Sequence, residues 1–139
     1  MAIVVDASIA AAWFLPDEQN DAADQVLADL RSVPGRVPSL FWFEIRNLFL
    51  MAERRGRLGA GEAALSMTQM RGLPLQDEGA GSDPLVLTLA ARHALSIYEA
   101  GYLALAVRLA LPLATTDKRL AAAARLEGIG VRGPFETTP

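Results

Sequence analysis

The chain has 139 residues, 52% of them hydrophobic, with 16 acids against 13 bases and a formal net charge of −3. It holds no cysteine and one histidine, His93, which excludes a disulfide scaffold, a cysteine nucleophile, thiolate metal centres and a His-rich metal site. The length fits one domain over residues 1–139 with a core of its own. The longest stretch without Asp, Glu, Lys or Arg, Ala7 to Pro16, is ten residues, short of the roughly 18 a membrane span needs. No basic stretch precedes an apolar one at the N-terminus, so a soluble cytoplasmic protein with no membrane role is expected.

Ala2-Ile3-Val4-Val5 is a short apolar, β-branched run ending on Asp6, the pattern of a strand buried on both faces. Ser8 to Leu15 reads as a helix stopped by Pro16. Asp17 and Glu18 open a second helix carrying Ala22, Val26, Leu27 and Leu30, and Pro34-Gly35 marks a turn. Val37-Pro38 reads as a short edge strand, and Ser39 as the N-cap of a long helix from Leu40 to about Arg55. A further helix spans roughly Glu62 to Arg71. Leu73-Pro74-Leu75 is a weak strand, and Asp77 to Ser82 a polar loop. Asp83 followed by Pro84 suits a helix start, with the helix running to about Leu95. Another spans Ser96 to Leu109. Leu111 to Thr116 reads as a strand ending on Asp117, Lys118 to Glu127 as a helix closed by Gly128, and Ile129 to Val131 as a last strand. Short apolar strands alternating with longer helices predict an α/β layer fold with a mostly parallel sheet.

In such a sheet, ligands bind beyond the carboxyl ends of the strands. Asp6 and Asp117 both stand there, although each taken alone reads first as a helix cap. On a wheel of about 100° per residue, Glu44 falls among Leu40, Phe41, Leu48 and Met51, and Glu99 among Leu95, Tyr102, Leu103 and Ala106. A carboxylate on an apolar stripe is costly without a partner, and neither stripe holds a base. Four carboxylates brought together repel unless a cation holds them, and oxygen-only ligands favour Mg²⁺ or Mn²⁺ over zinc. The constellation points to metal-assisted phosphoryl chemistry. Setting these four aside leaves 12 acids against 13 bases, a formal +1, with Arg54, Arg55 and Arg57 clustered and Lys118 and Arg119 beside Asp117. Most of these cations read as solvated helix surface, yet they could hold a phosphate backbone.

The segments Ile3-Val4-Val5-Asp6-Ala7-Ser8, Glu44-Ile45-Arg46-Asn47-Leu48, Tyr98-Glu99-Ala100 and Thr115-Thr116-Asp117-Lys118-Arg119-Leu120 fall in the order of PIN domains. The chain resembles VapC-type toxins of bacterial toxin–antitoxin pairs over essentially its whole length. The resemblance implies a Mg²⁺- or Mn²⁺-dependent endoribonuclease with a three-layer α/β/α fold, forming homodimers and inhibited by a cognate antitoxin. It places Asp6, Glu44, Glu99 and Asp117 in the acidic site. It makes Ser8, Thr115 and Thr116 supporting hydroxyls, and Asn47 an orienting group beside Glu44. Where the family usually has Asp as its third acid, this chain has Glu99, one methylene longer.

Two other readings stand beside this one. Asp6 could be the phosphorylated nucleophile of a phosphotransfer or receiver-like domain, or the chain could be a PIN-like binding module that has lost its metal. His93 reads as a surface or helix-end residue, and Trp13 and Phe14 as core. Tyr98 and Tyr102 read as packing residues, either of which could line a substrate groove. Phe41, Trp42 and Phe43 span about 200° of their helix. Either that helix is buried all round, or the face bearing Trp42 or Phe43 meets another chain.

Overall fold

The computed structural model describes residues 1–136; Thr137, Thr138 and Pro139, the last of the expected domain, lie outside the described residues. Five parallel strands form one sheet: β1 (Ile3–Val5), β2 (Gly35–Val37), β3 (Leu75–Asp77), β4 (Leu113–Ala114) and β5 (Val131–Arg132), in the order β3-β2-β1-β4-β5. Seven helices connect them: α1 (Ala7–Phe14), α2 (Asp21–Asp29), α3 (Leu40–Arg54), α4 (Glu62–Arg71), α5 (Asp83–His93), α6 (Ile97–Leu109) and α7 (Lys118–Leu126). Helices α1 to α4 pack among themselves, as do α5, α6 and α7. Because parallel crossovers are right-handed, the first group covers the face reached as the chain steps outward from β1 to β3. The second covers the other face, giving the expected three-layer α/β/α arrangement.

The chain steps outward from β1 to β2 and β3 on one side and returns to β4 and β5 on the other, so the strand order reverses between β1 and β4. Val4 pairs with Leu113 and Val5 with Ala114, the Asp6 N–H donates to the Ala114 carbonyl at 3.0 Å, and the chain leaves the two strands towards opposite faces. That is the switch point where open α/β sheets form their crevice, and Asp6 and Asp117 stand on either side of it. The N-terminal ends of α3 and α6 open onto the same edge.

Several boundaries differ from the sequence reading. The second helix begins at Asp21, not Asp17. Pro16–Glu18 makes only a 3₁₀ turn, and Asn20 Oδ1 caps α2 by accepting from the Ala23 N–H at 2.7 Å. Gly35 belongs to a strand, and β2 is an interior strand; the edge is β3, displaced two residues beyond the predicted segment. Pro74 delays it, since a proline cannot donate to the ladder, but its carbonyl accepts from the Gly35 N–H at 2.8 Å. Strand β4 is two residues long; just beyond it the Thr115 N–H still donates to the Arg132 carbonyl of β5 at 3.1 Å, while the Thr115 hydroxyl and the Thr116 N–H turn into the site. The N-cap of α5 is Ser82, one residue before the expected Asp83.

Trp42 is buried, its ring covered by the Arg71 guanidinium 3.8 Å from the ring centroid, whereas Phe43 is 68% exposed. The α3 helix is therefore not buried all round. His93 ends α5 as expected, but its side chain is covered and Nε2 meets Glu127 Oε2 at 2.6 Å. Trp13 and Phe14 pack against the core, Trp13 donating through Nε1 to the Ala23 carbonyl at 2.8 Å and Phe14 standing edge-on to Phe49. Among the described residues no helix is long and apolar enough to cross a membrane.

Candidate active site

Asp6, Glu44, Glu99 and Asp117 line one cleft of about 680 Å³ at the carboxyl edge of the sheet, together with Ser8, Thr116, Tyr98 and Tyr102. Asp6 sits deepest. Its Oδ2 accepts hydrogen bonds from Thr115 Oγ1 at 2.7 Å and Ser8 Oγ at 2.8 Å. Ser8 Oγ in turn accepts from the Thr116 N–H at 3.0 Å, and Thr115 Oγ1 from the Asp117 N–H at 3.0 Å. The two hydroxyls thus tie the start of α1 to the loop after β4. Gly133 backs this arrangement: its φ is +112°, and a Cβ there would lie 2.7 Å from the Thr115 carbonyl oxygen.

Burial drives the Asp6 carboxyl pKa upward against the opposing pull of the Thr115 and Ser8 hydrogen bonds, and repulsion from Asp117 adds to the rise. Glu44 is also pushed up. Desolvation dominates there, the hydrogen bond from Tyr102 opposes it, and Asp6 and Glu99 repel it. A partly dehydrated carboxylate facing others of its own sign is poised to bind a cation or a proton.

Glu44 lies on the flank of the α3 core stripe rather than at its centre. Phe41, Ile45, Phe49 and Ala52 carry the buried face, and Leu48 beside Glu44 is 38% exposed. Its partner is Tyr102 on α6, whose Oη donates to Glu44 Oε1 at 2.8 Å. Sequence reading gave Tyr102 no role beyond packing or lining; a hydroxyl one turn from Glu99 was the available signal. Asn47, expected to orient Glu44, is exposed and does not line the cleft.

Glu99 and Asp117 each do a second task. Glu99 completes a capping box on α6: its Oε1 accepts from the Ser96 N–H at 3.0 Å, and Ser96 Oγ accepts from the Glu99 N–H at 3.1 Å. The Ser-x-x-Glu spacing of Ser96 to Glu99 is a readable signature that the helical wheel does not show. It supplies a physical reason for glutamate, since the longer side chain reaches back to the cap. Asp117 caps α7, Oδ1 accepting from the Arg119 and Leu120 N–H groups at 2.9 and 3.2 Å.

Each of the four carboxylates keeps a second oxygen with no side-chain partner among the described residues. No Lys, Arg or His lines the cleft. This all-oxygen, uncompensated donor set fits a hard divalent cation such as Mg²⁺ or Mn²⁺. Among the described residues no three acids are already gathered as a metal centre. The four share a cleft without converging, as mutually repelling carboxylates do when each is also held by its own hydroxyls, tyrosine or helix N-terminus.

The PIN domain sequence profile matches residues 3–126. The chain is 28% identical over 125 residues to Ribonuclease VapC3 of Pyrobaculum aerophilum, an alignment covering 87% of this chain and 93% of that protein. Three solved structures share the fold. PAE2754 of Pyrobaculum aerophilum matches with a TM-score of 0.68 at 22% identity, covering 88% of this chain and 79% of that one. Mycobacterium tuberculosis VapC20, a sarcin-ricin loop cleaving toxin, matches at 0.61 and 19%, covering 88% and 95%. A toxin–antitoxin complex from Klebsiella pneumoniae matches at 0.59 and 20%, covering 99% and 98%. With a profile match running from β1 to the end of α7 and an acidic cleft at the sheet's switch point, the chain belongs to the PIN domain family.

Proposed function

We propose that this protein is the Mg²⁺- or Mn²⁺-dependent endoribonuclease toxin of a toxin–antitoxin pair, acting in the cytoplasm as one domain over residues 1–139. The observation that carries the reading is the cleft itself: Asp6, Glu44, Glu99 and Asp117 around one space, with no basic side chain to neutralise them. Its likeness to Ribonuclease VapC3 and to VapC20, a toxin that cleaves the sarcin-ricin loop, supports RNA as the substrate. The Klebsiella toxin–antitoxin complex supports a cognate antitoxin as partner.

Asp6, Glu44, Glu99 and Asp117 would hold the divalent ion, which would supply an acidified water and neutralise charge on the phosphate. The chain's own groups set the geometry. Ser8 and Thr115 hold Asp6 Oδ2 so that the rest of the carboxylate serves the cation. Tyr102 holds Glu44 in the same way. Asp117 and Glu99 each spend one oxygen on a helix N-terminus, which fixes the position of the other. A phosphodiester of an unpaired RNA segment enters this cleft, because single-stranded RNA can splay its bases away from the backbone. Phe43 and Leu50, seven residues apart on α3 and both exposed, suit contact with a second copy of the chain in a homodimer.

The experiment is cleavage of single-stranded RNA with and without Mg²⁺ or Mn²⁺, comparing wild type with Asp6→Asn. Metal-dependent cleavage lost in the variant supports the reading. RNA binding without cleavage and without a metal response leaves a metal-free binding module instead.

A further inference from the structure

We propose that Tyr98 is the stacking platform of a nucleobase subsite at the mouth of the acidic cleft, taking an unpaired base beside the scissile phosphodiester; this rests on the ribonuclease reading. The cleft poses a binding problem. Five acids, Glu18 included, line it, and no cationic side chain does. The backbone of an RNA substrate therefore finds no side-chain cation inside the cleft, and affinity has to come from the bound metal and from the bases.

Tyr98 supplies the surface for a base. It lines the cleft at the second position of α6, directly before Glu99, and is 63% exposed. Tyr102, one turn further on, is 1% exposed and committed to Glu44. The two tyrosines on one helix face thus divide the work, the inner one holding a carboxylate and the outer one presenting an unoccupied ring. Leu48, 38% exposed, adds apolar surface to the same cleft. Every base has a π face that stacks on such a ring, and a base splayed from a single strand is free to do so.

A second element of the cleft can read the base edge. Gln19 and Asn20 line it from the segment before α2. Asn20 Oδ1 is committed to the helix cap, which turns its amide group into a donor. Gln19 is exposed and carries both a donor and an acceptor. A ring for the face and amides for the edge together make a subsite with preference among bases, built from side chains that hold no metal.

The test uses fluorescein-labelled oligoadenylate and oligouridylate, titrated into the full chain carrying Asp6→Asn to block cleavage, with and without Tyr98→Ala. Tyr98→Ala should weaken binding about tenfold, and Tyr98→Trp should restore it. Gln19→Ala should change the ratio of the two affinities. In the cleaving chain, Tyr98→Ala should raise KM about tenfold with little change in kcat, and the rise in melting temperature on adding Mn²⁺ should match that of the wild type. A wild type that cleaves RNA while Tyr98→Ala binds and cleaves equally well overturns the subsite and leaves the ribonuclease reading standing. If that variant instead changes its sedimentation, the ring belongs to a protein contact and the subsite is likewise wrong. A wild type that neither binds nor cleaves either RNA overturns both readings together.

Discussion

Tyr102 on α6 donates a 2.8 Å hydrogen bond to Glu44 on α3, joining the two sides of the cleft. The tyrosine is 1% exposed. Its own pKa is driven upward, first by burial and then by the charges of Asp6 and Glu44, so the phenol stays protonated and donates. This contact fixes a carboxylate that burial and like charge would otherwise leave free to turn away.

Tyr102→Phe removes the donor and keeps the ring. Partners of this kind typically cost 10–100-fold in metal affinity or activity when lost. The expected result is a fall of about tenfold or more in Mn²⁺ affinity by calorimetry, with an unchanged far-ultraviolet circular dichroism spectrum. Equal Mn²⁺ affinity in variant and wild type would remove Tyr102 from the positioning of Glu44.

Asp6 gives a pH-dependent prediction with a definite sign. Its folded-state pKa is raised, chiefly by burial. The native state therefore binds the proton more tightly than the unfolded chain, and stability is lost as pH rises from the ordinary carboxylate range through the raised value. Asp6→Asn should melt higher than metal-free wild type at neutral pH, and the difference should close as the buffer is taken below the ordinary carboxylate pKa. Adding Mg²⁺ or Mn²⁺ reverses the order, since a ligand bound only by the native wild type stabilises it, by about 2.7 kcal/mol at a hundredfold excess over its dissociation constant. Melting curves across pH, with and without metal, check both halves.

Most of the architecture was legible because the strands declare themselves as short β-branched runs and the helices by their caps and prolines. Asp6 and Asp117 were readable from one rule about strand ends. The sequence concealed what depends on three dimensions. Val37 looked like an edge strand because Pro38 follows it, yet β3 pairs outside it. Glu44 looked central to an apolar stripe because a wheel cannot show that Leu48 faces a cleft. Thr115 reads as strand from its β-branch, and its N–H does still reach β5, but its hydroxyl binds Asp6 across the sheet. His93 looked like a surface residue because Glu127, its partner, is 34 positions away.

Glu99→Gln separates the two tasks of that residue. Glutamine serves a capping box as well as glutamate does, so the Ser96 contacts and α6 should persist and stability should stay within about 0.5 kcal/mol. The lost charge should still weaken Mn²⁺ binding about tenfold. A variant that binds Mn²⁺ as wild type does would confine Glu99 to capping.

The remaining prediction concerns the neighbouring aromatics of α3. Trp42 belongs to the chain's own core, wedged edge-on to Phe41 and under Arg71. Phe43, two-thirds exposed, has Arg46 lying 5.4 Å from its ring centroid. Successive helical residues point about 100° apart, which is why adjacent aromatics meet such different surroundings. Trp42→Ala should cost about 3–5 kcal/mol, the usual loss for a large buried aromatic. Phe43→Ser should leave the monomer's stability within about 0.5 kcal/mol, as surface substitutions do, while breaking the contact with a second copy. Sedimentation velocity at tens of micromolar should then show a dimer for the wild type and a monomer for Phe43→Ser. A wild type that sediments as a monomer would rule out the homodimer, and a dimer indifferent to Phe43 would move its interface to another face.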